Sequence, residues 1–286
     1  MEFLHAIGQY DFLQKALFTS VVVGIICGVI GSFIILRGMS LMGDAISHAV
    51  LPGVALSYAF GINFFLGAVA TGVLTAIGIG YVSQNSRIKN DTAIGILFTS
   101  AFALGIIMIT MLKSSTDLYH ILFGNVLAVR PSDMWVTVGI GVIVIVTVYA
   151  FFKELLLTSF DPTIAAAYGL RNNLIHYLLM TLLTMVTVAS LQTVGIVLVV
   201  AMLITPAATA YLLTDRLSVM IFLAASFGVI SAIIGLYFSF TYNLASGATI
   251  VMVATGLFLL AFLFSKKHGV VWKSIRVRQK RAELSK

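Results

Sequence analysis

Nine stretches of about 20 predominantly apolar residues follow one another along this chain, each long enough to cross a bilayer as a helix. They lie at about 16–36, 40–60, 63–83, 92–112, 134–157, 173–192, 194–213, 217–239 and 246–265. No soluble core can hide that much apolar surface. Only 9% of the 286 residues are charged and the mean hydropathy is +1.09, whereas a soluble domain is about a quarter charged. Inside a bilayer every backbone N–H and C=O needs a partner within the protein, which leaves helices or closed barrels, and runs of this length read as helices. The expectation is an all-α polytopic membrane protein of eight or nine transmembrane helices. The stretches 173–192 and 194–213 run together, so ten also fits. Residues 117–128 are too short to span and read as a short re-entrant or interfacial helix.

Basic residues set the orientation. With the C-terminal tail in the cytoplasm, fourteen of the 17 Lys and Arg residues fall on the inner side, and only Lys15, Lys113 and Arg130 fall outside. The expected topology is an outside N-terminus and an inside C-terminus. Residues 1–265 form one transmembrane domain and 266–286 a basic cytoplasmic tail. The net charge of +7 is then accounted for by anchoring beside anionic lipid rather than by nucleic acid. A single cysteine, Cys27, excludes an intramolecular disulfide and a cysteine metal cluster. Residues 1–15 lack the basic start of a cleaved signal peptide.

Against this apolar background the run Arg37-Gly38-Met39-Ser40-Leu41-Met42-Gly43-Asp44-Ala45-Ile46-Ser47-His48-Ala49-Val50-Leu51-Pro52-Gly53 is distinctive. Asp44 and His48 are four residues apart, so a helix stacks them on one face. Ionisable groups inside a membrane are costly and mostly line pathways. Two readings fit: a cation site or gate, or a buried pair that fixes helix packing. A carboxylate, an imidazole and a carbonyl freed by Pro52 suit Mn²⁺ or Zn²⁺ better than an alkali ion. Ser47, Gln192, Thr205 and Asn243 are further pathway candidates, although each can equally bond within its own helix. His120 and His176 read as loop and interfacial residues.

Asp161-Pro162-Thr163-Ile164-Ala165-Ala166-Ala167-Tyr168-Gly169-Leu170 carries the marks of a short capped helix. Asp161 suits the N-cap, Pro162 the first helical position and Gly169 the residue past the end. Ala165 and Tyr168 fit either a groove on a partner or a membrane surface. No Gly-rich loop ending in Gly-Lys-Ser/Thr occurs, so if ATP drives this chain, another polypeptide hydrolyses it. Neither His-Glu-x-x-His nor Gly-x-Ser-x-Gly appears, and the chain does not read as an enzyme.

The Arg37–Gly53 run resembles the second-helix signature of the metal-type ABC permeases, the membrane subunits of bacterial manganese, zinc and iron importers. Asp91-Thr92-Ala93-Ile94-Gly95, Leu122-Phe123-Gly124-Asn125, Phe160-Asp161-Pro162, Gly169-Leu170, Gln192-Thr193-Val194-Gly195, Leu203 to Tyr211, and Ser246-Gly247-Ala248-Thr249 match the same family in the same order. Ser114 to His120 and Met39 to Gly43 look closest to the manganese permeases of Gram-positive bacteria. The resemblance implies an ABC importer permease fold in a bacterial plasma membrane. It implies a homodimer with two ATPase subunits and an extracellular metal-binding lipoprotein or other solute-binding protein. It implies Asp44 and His48 as pathway residues for a transported divalent metal, manganese first, with no permanently bound cofactor. It also implies that residues 161–170 couple the chain to the ATPase through Asp161, Pro162, Ala165, Tyr168, Gly169 and Leu170. A zinc or ferrous-iron permease of the same family is the alternative cargo. An ion-coupled secondary transporter fits the hydropathy but not the capped helix.

Overall fold

The computed structural model describes residues 7–112 and 126–265. Within them the chain is helical throughout: α1 (Asp11–Leu36), α2 (Leu41–Ala49), α3 (Leu51–Phe60), α4 (Phe64–Asn85), α5 (Asn90–Met111), a 3₁₀ turn at Val126–Ala128, α6 (Pro131–Ala150), α7 (Phe152–Phe160), α8 (Pro162–Ala167), α9 (Asn172–Val194), α10 (Ile196–Leu213), α11 (Leu217–Tyr242) and α12 (Ser246–Phe264). Eight of these are long and apolar enough to cross a membrane. The ninth expected crossing, 40–60, is two consecutive helices of 9 and 10 residues, separated at Val50. Most of the expected re-entrant segment, His120 and the basic tail lie outside the described residues.

Two boundaries differ from the sequence reading for local reasons. The fifth span begins at Pro131, whose ring is suited to a first helical turn, and ends at Ala150, after which Phe151 leaves helical geometry and α7 begins anew. The run-together pair is parted at Gly195, whose φ of 83° and ψ of 164° no L side chain adopts comfortably.

Among the eight spanning helices α1 has the most buried apolar stretch, and it packs against α11, α10, α6 and α9. Small residues let the backbones meet: a Cβ built on Gly228 would stand 2.5 Å from the Gly24 carbonyl oxygen. Backbone contact of this kind replaces the hydrophobic drive that lipid cannot supply. Ile26, Ile30, Phe33, Ile46, Leu179, Leu183, Leu198 and Met202 fill the same core. By contrast α5, α6 and α12 show long apolar rows outward, with Ile107, Val146 and Met252 among them.

Candidate metal pathway site

Arg37 ends α1 in a Schellman motif. The Gly38 N–H donates to the Ile35 carbonyl at 3.1 Å and the Met39 N–H to the Ile34 carbonyl at 3.0 Å, with Gly38 at φ 65°. Met39 and Ile34 are both buried, as the motif's hydrophobic contact requires. The chain then turns directly into α2, which is buried on all but one stripe. Met42, Gly43, Ala45, Ile46, Ser47 and Ala49 are buried, while Leu41 is exposed and Asp44 and His48 are partly so. Residues 41, 44 and 48 follow helical spacing, so the open stripe carries both ionisable groups.

His48 Nε2 lies 3.6 Å from Asp44 Oδ1, and the side chains are 27% and 43% exposed. That is an ion-pair distance rather than a tight hydrogen bond. The imidazole is flanked by α5: Phe98 lies 5.6 Å from it, centroid to centroid, and Phe102 lies edge-on at 5.3 Å. His48 Nδ1 is buried with no hydrogen-bond partner. Phe98 and Phe102 were not singled out in the sequence; their own four-residue spacing on α5 is the signal that could have paired them with Asp44 and His48.

Two donors do not complete a coordination shell. Structural zinc takes four ligands and hard cations take more. Among the described residues no three His, Cys, Asp or Glu side chains stand together. Asp44 and His48 alone would supply two of the ligands that such a cation takes.

Of the other pathway candidates, Ser47 and Thr205 take part in bonds within their own helices. The Ser47 hydroxyl is buried and donates to the Asp44 carbonyl at 2.7 Å, so it braces α2 from within. Thr205 is partly buried and its carbonyl accepts from Thr209 Oγ1 at 2.7 Å. Gln192 is partly buried near the end of α9. Asn243 is exposed and caps α11 in the left-handed conformation, φ 51°. No hydrogen bond joins these last three to Asp44 or His48 among the described residues.

The break before Pro52 closes against α5 as well. A Cβ on Gly105 would stand 2.7 Å from Leu51 Cβ and 3.1 Å from Pro52 Cδ, so only glycine lets α5 cross the break this closely. α5 thus packs against both halves of the broken segment, through aromatic rings at His48 on α2 and closely at Leu51 and Pro52 on α3.

The short helix α8 is built as its residues predict. Asp161 Oδ1 accepts from the Thr163 and Ile164 N–H groups, each at 2.9 Å, and Pro162 opens the helix. Gly169 closes it at φ 81°, with the Leu170 N–H on the Ala165 carbonyl at 3.1 Å. Ala165 is fully buried, while Ile164 and Tyr168 face outward, Tyr168 at 78% exposure. Asn172 Nδ2 donates to the Pro162 carbonyl at 2.6 Å and ties α8 to the start of α9. His176, in the next turn of α9, is partly buried beside Tyr177.

Arg37 reaches this same end of the molecule. Its Nε donates to Ser159 Oγ at 3.0 Å and its Nη2 to Thr158 Oγ1 at 2.8 Å. Burial pushes the guanidinium down to about 10, which leaves it charged at neutral pH.

A family model described as the ABC 3 transport family matches residues 9–265. The manganese transport system membrane protein MntC of Listeria monocytogenes is 68% identical over 96% of this chain and 99% of its own length. The manganese import system permease protein ScaB of Streptococcus gordonii is 53% identical over 96% of this chain and 99% of its own. The solved structure of PsaBC from Streptococcus pneumoniae in complex with Fab contains a chain that superposes with a TM-score of 0.86 at 53% identity, covering 97% of this chain and 99% of that one. Full-length agreement in sequence and in helix arrangement leaves one assignment: the chain belongs to the ABC 3 transport family.

Proposed function

We propose that this chain is the permease of an ATP-driven manganese importer, working as a homodimer in a bacterial plasma membrane. The observation that carries the reading is the open Asp44–His48 stripe on a helix otherwise buried, with too few donors for a closed site. Two copies related by a two-fold axis would bring two carboxylates and two imidazoles to one conduit. That mixed O/N set suits Mn²⁺. The manganese transport named for relatives at 53–68% identity supports the cargo.

In this mechanism an extracellular binding protein releases the ion at the outer mouth. Asp44 and His48 replace part of its water shell during passage. Two ATPase subunits dock on α8 through Ile164 and Tyr168, and their closure shifts that helix. Mn²⁺ stands at the weak end of the divalent series, so selection by affinity alone would favour other metals; the delivery protein supplies much of the discrimination. In this reading α8 and Arg37 lie on the cytoplasmic side and the N-terminus outside, which the excess of Lys and Arg on that side supports.

The test is uptake by the purified complex of permease, ATPase and binding protein in liposomes, with Mn, Zn and Fe compared. ATP-dependent accumulation of manganese in preference to the others is expected. Uptake by this chain alone, without ATP, would replace the reading with a secondary transporter, and preference for zinc or iron would change the cargo.

A further inference from the structure

We infer that Arg37 is a positioning residue that carries movement of the short helix α8 to the helix bearing Asp44 and His48. This rests on the proposed function for its energy source, but the linkage is a property of the chain. Arg37 joins segments more than 120 residues apart in sequence, the end of α1 and the last turn of α7. Its planar fork donates two bonds in fixed directions, which a single-point cation cannot do.

The acceptors are held for this purpose. Thr158 Oγ1 donates its own proton to the Glu154 carbonyl at 2.8 Å, and Ser159 Oγ to the Leu155 carbonyl at 2.6 Å. Both hydroxyls therefore present lone pairs to the guanidinium. No carboxylate is seen paired with it: the hydrogen bonds of the Arg37 guanidinium among the described residues go to the two hydroxyls. Bonds to neutral hydroxyls fix a direction yet can be broken and re-formed within a transport cycle, where a buried carboxylate pair would hold far harder.

The connections on either side are stiff. Toward α8, the Asp161 N–H bonds the Leu157 carbonyl at 3.0 Å and the Ala165 N–H bonds the Asp161 carbonyl at 3.0 Å, so α7 and α8 meet without a loop. Toward the site, the Schellman turn is followed at once by the Met42 N–H on the Met39 carbonyl at 2.9 Å. A displacement of α8 reaching Thr158 and Ser159 thus moves Arg37, and the rigid turn passes it into α2. Arg37→Lys, Arg37→Ala and the pair Thr158→Ala/Ser159→Ala remove the link in graded ways. A probe on Leu41→Cys reads α2 directly, because Leu41 is exposed and the native Cys27 is buried.

In the complete complex, metal moved per ATP hydrolysed is expected to fall about tenfold in Arg37→Ala and in the hydroxyl pair. The fall should be smaller in Arg37→Lys, and no greater when Arg37→Ala and the pair are combined. Basal ATP hydrolysis should stay within about twofold, and the ATP-induced signal at position 41 should disappear. Persistence of that signal in Arg37→Ala, or uptake and hydrolysis falling in parallel, overturns the inference. If the wild-type complex moves no metal with ATP, the proposed function fails instead, and the position-41 signal alone decides the linkage.

Discussion

His48 Nε2 stands 3.6 Å from Asp44 Oδ1 while the opposite ring nitrogen, Nδ1, is buried without a partner. Histidines that hold a resident metal almost always donate their second nitrogen to a carboxylate or carbonyl, which raises ligand strength 10–100-fold in affinity. His48 Nδ1 has no such acceptor, and the imidazole as a whole is flanked by the rings of Phe98 and Phe102. In the proposed mechanism a ligand left without that support releases the ion readily, as passage requires.

The pair itself contributes little to stability. Both side chains are partly exposed, and ion pairs of that kind are worth about 0–1 kcal/mol. Asp44→Asn and His48→Ala are therefore expected to leave membrane insertion and the melting temperature nearly unchanged while abolishing manganese accumulation. Cell-associated manganese measured beside permease abundance checks this. Normal accumulation in both variants removes the site assignment.

The ring contacts should set how well His48 is presented. Truncation in Phe102→Ala removes an edge-on aromatic contact worth about 0.5–1.5 kcal/mol beyond its buried area. The imidazole gains rotamer freedom, and the manganese concentration for half-maximal uptake should rise about threefold to tenfold. Phe102→Leu retains bulk without the ring quadrupole and should fall between. Unchanged concentration dependence in Phe102→Ala would show that the ring only fills space.

Much of the fold could be read from the chain because lipid imposes a simple rule: apolar runs of spanning length must be helices. The cap chemistry of Asp161, Pro162 and Gly169 was equally legible, since each residue acts on its immediate neighbours. The four-residue spacing placed Asp44 and His48 on one face. What the chain could not disclose were contacts across distance. The Arg37 bonds to Thr158 and Ser159 and the rings of Phe98 and Phe102 around His48 depend on tertiary packing. Ser47, a pathway candidate beside the stripe in sequence, donates to a carbonyl of its own helix, a bond that spacing alone does not disclose.

Backbone contact between α1 and α11 makes Gly228 intolerant of a side chain. In Gly228→Ala the new Cβ would stand 2.5 Å from the Gly24 carbonyl oxygen, a group that cannot rotate away. The helices must separate, at a cost of about 1–3 kcal/mol or more. Gly256→Ala is the matched control, since its Cβ meets nothing within 4 Å, and a better helix former there is expected to be neutral or slightly stabilising. Thermal unfolding in detergent compares the two. Equal melting temperatures would mean that the helices are not in backbone contact.

The caps of α8 separate docking from folding. Asp161→Ala removes the acceptor for two backbone N–H groups, a loss of about 0.5–2 kcal/mol, and in a helix of 6 residues that is enough to unwind it. Asp161→Asn keeps a good capping oxygen and should behave like the native chain. Gly169→Ala forces a Cβ into the left-handed region at about 1–2 kcal/mol. Permease abundance is expected to hold in all three variants, because α8 packs mainly on the short helix α7 and only on the start of α9. The amount of ATPase recovered with the permease is expected to fall several-fold in Asp161→Ala and Gly169→Ala and to stay near native in Asp161→Asn. Recovery that is insensitive to both caps would place the ATPase contact on another segment and leave Ile164 and Tyr168 as membrane-facing residues.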